Sequence, residues 1–298
     1  MIIIVTNDEH RYTHRDVAAE DGITFGIMGY SEMAQRAKAL PEATYIFTDV
    51  DRLDPRGRRK AAHAYRALRS HGQKVLNDPA RMMSRFGLLR ALNRAGINDF
   101  DAYLAEALET PRRWPVFLRT EGNHSEPVSG LLNNADELDE ALAKSIKKGV
   151  PLPALLIIEY AAEEVRPGLF RKLSVFRVGD RMLGYTCVHD DQWIVKYGKK
   201  DITPDELYEE EHDFVVNHRF AEQMRPVFEL AGVDYGRVDF GLVGGKPQIY
   251  EINSNPDIKL RPDPSPSALR NQSNDTFRAN YLAAMRLLEQ TEDASAAA

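Results

Sequence analysis

Two acidic side chains set within an apolar pair of strands are the positions where this sequence is best placed to do chemistry. The segment "RVDFGLVGGKPQIYEINSNP" (237–256) reads as a β-hairpin around a glycine turn, with Asp239 in its first strand and Glu251 in its second. An odd turn, Gly244-Gly245-Lys246, places Val238, Phe240 and Leu242 on one face with Tyr250 and Ile252. On the other face it sets Asp239 opposite Glu251 and Arg237 opposite Asn253. An even turn would set Asp239 against Tyr250 and Val238 against Glu251, mixing charge with core, so the odd register is predicted. Opposed carboxylates repel by about 0.2–1 kcal/mol even in solvent, and a bound cation would compensate. Asp, Glu and Asn offer oxygen alone, which suits Mg²⁺ better than zinc. The competing reading leaves both acids in bulk water beside Arg237 or a lysine. Mg²⁺ usually binds one or two carboxylates together with substrate phosphates, so the metal reading needs a phosphate-bearing ligand and cations to meet it. Arg119, Arg171, Lys172 and Lys196 stand on other predicted strands, although each taken alone reads as a surface charge.

The elements that must position these residues follow from periodicity and punctuation. Residues 2–5, "TYIFTD" (44–49) and "QKVLND" read as short strands, and "DPRGRRKAAHAYRALRSHG" (54–72) as a helix ended by Gly72. Together they imply a small parallel α/β unit in about the first 75 residues. A helix "SRFGLLRALNRAGI" capped by Ser84 follows, then a strand "WPVFLRT" (114–120) and a polar, glycine-containing loop "EGNHSEPVSG". "ADELDEALAKSIKKG" is helical and "PALLIIEYA" (153–161) is a buried strand. "FRKLSVFRVGDRMLGYTC" folds back at Gly179-Asp180, and "WIVKYG" reads as a further strand. A helix from Pro204 to Gly232, broken near Asn217, leads into the hairpin. A proline-rich loop "RPDPSPSALRNQSN", a final helix "DTFRANYLAAMRLLEQ" and a frayed tail close the chain.

The totals exclude several classes. With 298 residues, 43% hydrophobic and 28% charged, the chain is neither disordered nor a membrane protein. A net charge of −6 argues against a general nucleic-acid surface. One cysteine, Cys187, excludes an intrachain disulfide framework and reads as a core filler in a reducing compartment. "MIIIVTNDEH" turns polar after five residues and lacks a basic region, and "ALLIIEY" is too short to cross a bilayer. The expectation is a cytoplasmic protein without membrane or nucleic-acid partners, with a homodimer as the default assembly. His10 and His14 could share a helical turn as metal ligands, but sit where a substrate loop is expected. "RGRRK" (56–60) reads as a solvated helix start, with an anionic or peptide partner as the minor alternative, and Trp193 as packing.

The closing segment "AEQMRPVFELAGVDYGRVDFGLVGGKPQIYEINSNP" resembles that of the ATP-grasp superfamily, especially the branch of glutathione synthetase and the ribosomal-protein glutamate ligases. There a helix leads into a strand with an Asp, then a strand ending in Glu-x-Asn-x-Asn-Pro. The resemblance extends over roughly residues 75–260. "VLNDP" with the following helix and "AGIN" is similar to the entry into the grasp, and "PVFLRTEGNHSEPVSG" to its strand and phosphate loop. "LLIIEYAAEE" is similar to its adenine-binding hinge, and "RKLSVFRVGDRML" to its arginine-bearing hairpin.

The resemblance implies an α/β (α+β) ATP-grasp fold at 76–290, preceded by a small parallel α/β domain at 1–75 and followed by a flexible tail at 291–298. It implies ATP as cosubstrate and Mg²⁺, with Mn²⁺ as an alternative, held by Asp239, Glu251 and Asn253. Arg85 and Arg119 occupy positions where relatives have lysines near the phosphates and adenine. Glu159 and the backbone of Tyr160 and Ala161 would meet the adenine edge, with Glu163 or Glu164 near the ribose. Arg171 and Lys196 would neutralise the γ-phosphate or the substrate carboxylate, and Asn255 would position the reacting group. The implied activity is carboxylate–amine ligation through an acylphosphate, on small-molecule or peptide substrates. Two alternatives stay open: phosphoryl transfer without ligation, and a nucleotide-binding protein without turnover. Three departures stand out. Arginine replaces both lysines, the phosphate loop has fewer glycines, and "LFRK" lacks the aspartate that usually precedes the arginine. Substrate identity has no readable code; the loop Asp8 to Asp16, the phosphate loop and residues 261–268 are the candidate determinants.

Overall fold

The computed structural model describes residues 1–290 except 37–38, 108, 123–125, 200–201 and 263. The predicted tail lies outside the described residues. The amino-terminal strands are β1 (Ile2–Thr6), β2 (Phe25–Gly29), β3 (Thr44–Phe47) and β4 (Val75–Leu76), parallel in the order β2-β1-β3-β4. β1 is buried along its whole length, which explains its unbroken apolar run. Helices α1 (Arg15–Ala18), α2 (Tyr30–Gln35) and α3 (Pro55–Ser70) connect these strands. Asp54 caps α3 by accepting from Gly57 N, and Pro55 fills the first helical position. β2 and α2 have no counterpart in the sequence reading, because the two glycines of "FGIMG" erase the alternation that marks a strand.

Helix α4 (Arg85–Arg94) begins at Ser84, whose Oγ accepts from Gly87 N as predicted. β5 (Ala102–Leu104), β6 (Val116–Thr120) and β7 (Leu155–Glu159) form an antiparallel sheet in the order β5-β7-β6, with α5 (Ala135–Lys147) against it. The third sheet is antiparallel and runs β10-β9-β11-β12, with β8 beside β9. Its strands are β8 (Glu164–Arg166), β9 (Leu169–Val178), β10 (Arg181–Asp190), β11 (Tyr235–Val243) and β12 (Lys246–Asn253). Between β10 and β11 lie α6 (Asp205–Val216) and α7 (Arg225–Ala231), separated by the break expected near Asn217. Gly232 ends α7 in the left-handed conformation.

Three expectations need correction. "WIVKYG" is not a strand: Trp193, Ile194, Val195 and Lys196 all line one cleft, which the alternation of a strand would forbid. The final helix, α8 (Ala268–Gln290), starts inside the predicted loop. Its Asn and Ser residues bond locally: Asn271 Nδ2 donates to Ser265 O at 2.9 Å and Ser273 Oγ to Leu269 O at 2.9 Å. The hairpin turn is even, Gly244-Gly245 with φ of 57° and 79°, and a bulge at Tyr250 restores the register.

One continuous core runs from Ile2 on β1 through Val175 and Val238 to Leu288 on α8; a smaller one beneath β5-β7-β6 holds Tyr103, Val116, Leu118, Leu138 and Ile157. Asn77 joins the first sheet to the third: its Nδ2 donates to Phe47 O and Tyr235 O, and its Oδ1 accepts from Asp234 N and Tyr235 N. Among the described residues no helix is long and apolar enough to cross a membrane.

Candidate active site

Asp239 stands in mid-β11, opposite Ser174 on β9 and Glu251 on β12, as the predicted register requires. It is only 2% exposed, so the solvated reading fails, although the Arg237 partner named in that reading is present. Its Oδ1 accepts from Ser174 Oγ at 2.8 Å and Arg237 Nε at 2.8 Å, and its Oδ2 from Arg237 Nη2 at 3.0 Å. Lys172 Nζ lies 3.5 Å from Oδ2. Burial pushes the Asp239 pKa up, but Arg237 and Lys172 outweigh it and hold the carboxyl below its ordinary value.

Glu251 is bound by two guanidinium groups. Its Oε2 accepts from Arg85 Nη2 at 2.8 Å and Arg119 Nη2 at 3.2 Å. Arg85 is aimed there by the start of α4 and also donates to Thr120 O at 2.9 Å and Glu121 O at 3.0 Å. Arg119, at the end of β6, has its pKa lowered by burial, with the neighbouring Arg85 adding to the effect. Its Nε, and that of Arg171, are buried with no hydrogen-bond partner among the described residues. Buried donors left in this state are suited to an anionic ligand. Arg171 Nη1 donates to Glu210 Oε1 on α6, Lys172 Nζ donates to Lys196 O at 2.9 Å, and Lys196 is exposed. All five cations line one cleft of about 940 Å³, together with Asp239 and Glu251.

The rest of the cleft wall is largely apolar and aromatic. Phe117 and Trp193 meet edge to face at 4.9 Å, Tyr160 approaches Trp193 at 5.6 Å, and Leu89, Phe100 and Ile158 complete the wall. The bulge adds Tyr250, which lies over Gly241, where a Cβ would stand 2.1 Å from the phenol oxygen; Tyr250 donates to Ala161 O at 2.9 Å. Neither Tyr250 nor Ala162, also on the wall, was predicted. The absence of any side chain at Gly241 was the available signal for Tyr250.

The predicted adenine residues divide in two. Glu159 lines the cleft, but its carboxylate is tied into the scaffold: Oε1 accepts from Tyr103 Oη and the backbone N–H groups of Arg112 and Arg113, and Oε2 from Asp101 N, all at 2.8–2.9 Å. Tyr160 N–H donates to Pro115 O at 2.9 Å, which leaves Tyr160 C=O and the Ala161 and Ala162 N–H groups with no partner among the described residues. Those three backbone groups can meet a base edge. Glu163 and Glu164 are exposed and outside the cleft wall; they accept from Gly244 N and Gly168 N.

Neither Asn253 nor Asn255 is on the cleft wall, and Asn255 reaches Thr13, which follows β1. Asn253 Oδ1 accepts from Asn255 N at 2.8 Å, and Asn255 Oδ1 accepts from Thr13 Oγ1 at 3.0 Å. Nearby, at the carboxyl ends of β1 and β3, His10 Nδ1 lies 2.6 Å from Asp49 Oδ2, and Asp49 N donates to Ser254 Oγ at 3.2 Å. His14 is fully buried, bonded to Thr13 and Tyr235, and does not share a site with His10. Of the phosphate loop, Glu126 and Pro127 reach the cleft, while 123–125 lie outside the described residues.

No protein-family description and no curated protein sequence matches the chain. Solved structures do. D-alanine–D-alanine ligase from Bacillus anthracis, complexed with ATP, matches with a TM-score of 0.53 and 13% identity, over 97% of this chain and 98% of that one. The ATP-grasp ligase PsnB, complexed with minimal precursor, matches with a TM-score of 0.53 and 13% identity, over 96% and 99%. The architecture is thus the ATP-grasp fold across nearly the whole chain.

Proposed function

From the ATP-grasp fold as premise, we propose that this protein is an ATP-dependent carboxylate–amine ligase that works through an acylphosphate. The observation that carries the reading is the mixed lining of one cleft: aromatic and aliphatic side chains, and with them five cations and the opposed Asp239–Glu251 pair. An adenine ring fits the first and a triphosphate the second. The neighbour complexed with ATP supports the cosubstrate, and the ligase neighbours support substrates that are small molecules or peptides. In this reading residues 1–75 cover the substrate end and 76–290 clamp the nucleotide.

The chemistry is positioning and charge neutralisation. A substrate carboxylate oxygen attacks the γ-phosphorus, the bond to the β–γ bridging oxygen breaks, and ADP leaves. The amine nitrogen then attacks the acyl carbon, phosphate departs, and the nitrogen loses a proton. Arg119 and Arg85 meet the phosphates with the donors now turned to Glu251. Arg171 and Lys196 neutralise the transferring group, and Asn255 positions the reacting carboxylate.

Asp239 and Glu251 face each other across one ladder position and offer carboxylate oxygens that fit a hard divalent ion, and Asn253 would add its Oδ1, now accepting from Asn255 N. These residues would hold Mg²⁺, which would neutralise phosphate charge; Mn²⁺ has the same donor preference.

The test is ADP release across a panel of acids in the presence of hydroxylamine, which converts an acylphosphate to a hydroxamate. Hydroxamate formed only with ATP and one acid class supports the ligase. A stable phosphorylated product instead shows phosphotransfer. The capture of Glu251 by two arginines favours a second reading, nucleotide binding without turnover; ATP binding by calorimetry with no ADP release for any acid would establish it.

A further inference from the structure

Away from the cleft, α3 carries six arginines and lysines and no acidic residue in 16 positions. Arg56, Arg59, Lys60, His63 and Arg66 recur at spacings of three and four and are exposed along one face. Like charges at these spacings repel, and a basic first turn opposes the helix dipole. The Asp54 cap meets the dipole at the helix start, but no acid within the described chain pairs with the exposed basic face. Arg56, Arg59, Lys60 and Arg66 make no ion pair or side-chain hydrogen bond among the described residues, whereas exposed arginines such as Arg11, Arg225 and Arg261 each do. A helix that breaks local rules in this way, without a compensating contact on its basic face, marks a surface kept for a partner.

The face borders a groove between α3 and α2. Met33, Leu40, Leu53, Ala64 and Leu68 form its apolar floor, and Glu42 is the one acid on its wall among the described residues. The helix is about 24 Å long, so an extended chain of about seven residues would span the groove. At the groove's Leu53 end, the chain has just passed Asp51, which lines a chamber shared with Arg85, Glu251 and Ser254.

We propose that the α2–α3 groove docks an acidic segment of a polypeptide, with carboxylates on the α3 cations, apolar side chains on the floor, and one end directed to the cleft. Charge complementarity selects an anionic partner. The largely aliphatic floor, with Tyr30 its one Phe, Tyr or Trp among the described residues, favours the apolar side chains of a polypeptide over single-stranded bases, which stack on aromatic platforms. The direction of delivery rests on the ligase reading; the docking does not.

The test is fluorescence anisotropy of the full chain with a fluorescein-labelled peptide of seven glutamates in which two are replaced by leucine. Saturable binding is expected at low salt, weakening about tenfold between about 50 and about 300 mM salt. The combined variant Arg59→Glu, Lys60→Glu and Arg66→Glu should bind at least about tenfold more weakly, with ATP binding by calorimetry unchanged as the control for folding. An all-glutamate peptide should bind at least about threefold more weakly than the leucine-bearing one. No binding at low salt, undiminished binding by the variant, or equal binding of the all-glutamate peptide overturns the proposal. Tighter binding of oligodeoxythymidylate of equal charge, lost in the same variant, replaces it with a nucleic-acid surface. Because no turnover is measured, failure here leaves the ligase reading intact, and failure of hydroxamate formation leaves this one intact.

Discussion

Two glutamates line the same cleft, and their partners differ in kind. Glu159 accepts from three backbone N–H groups and one phenol, which are neutral donors fixed by the turns that carry them. Glu251 accepts from two charged guanidinium groups at the ends of long side chains. Neutral donors of the scaffold have no better acceptor to move to, so Glu159 is a strut. Cations can exchange one anion for another, so in the proposed function Glu251 would give up its arginines to phosphate. The residue type is the same; the partner decides the role.

Substituting each acid by its amide should separate the two. Glu251→Gln is expected to lower ATP turnover at least about 100-fold, near 2.7 kcal/mol of transition-state stabilisation, measured as ADP release. Its lost stability should be recovered on adding ATP, because the phosphates supply the anion that Arg85 and Arg119 have lost. Glu159→Gln should cost about 2 kcal/mol in urea denaturation, with no more recovery by ATP than the unsubstituted protein shows. Equal rescue of both variants would erase the distinction.

Glu211 is the intermediate case. It accepts from a neutral donor, Cys187 N at 3.0 Å, and a cation, Arg270 Nη1 at 2.9 Å. Burial pushes its pKa up to about 7 despite Arg270. Between 4.5, the ordinary value, and about 7 the native state holds a proton that the unfolded chain has released. The stabilisation is therefore complete below about pH 4.5 and is lost as pH rises through about 7. Glu211→Gln should flatten this dependence, which spans about 1–3 kcal/mol, in denaturation curves at pH 5 and pH 8. An unchanged slope would show that Arg270 alone governs this carboxyl. The smallest effect is expected for Tyr250→Phe, which removes one neutral bond to Ala161 O and should weaken ATP binding by less than about fivefold in calorimetry.

Much of this was legible in the residues. The opposed pair at 239 and 251, the Ser84 cap of α4, the break near Asn217 and the left-handed stop at Gly232 all rest on local rules of spacing and backbone freedom. β2 was not legible, because two glycines silence its periodicity. Nor was the Tyr250 bulge: it compensates an even turn, and the apolar pattern alone could not tell an even turn with a bulge from an odd one without. The segment 193–198 was mistaken for a strand because a short apolar run has the same composition whether it pairs in a sheet or folds over a cleft.

The chain order of apolar and polar residues was enough to decide most of the strands and helices and that two carboxylates face one another, since these depend on neighbours a few positions apart. That Glu159 is held by neutral donors of the scaffold and Glu251 by cations was decided only on folding. Arg85 and Glu251 are 166 positions apart, as are no two residues that a local pattern can join. Charge interactions act through space, and that distance is set by the packing of three sheets.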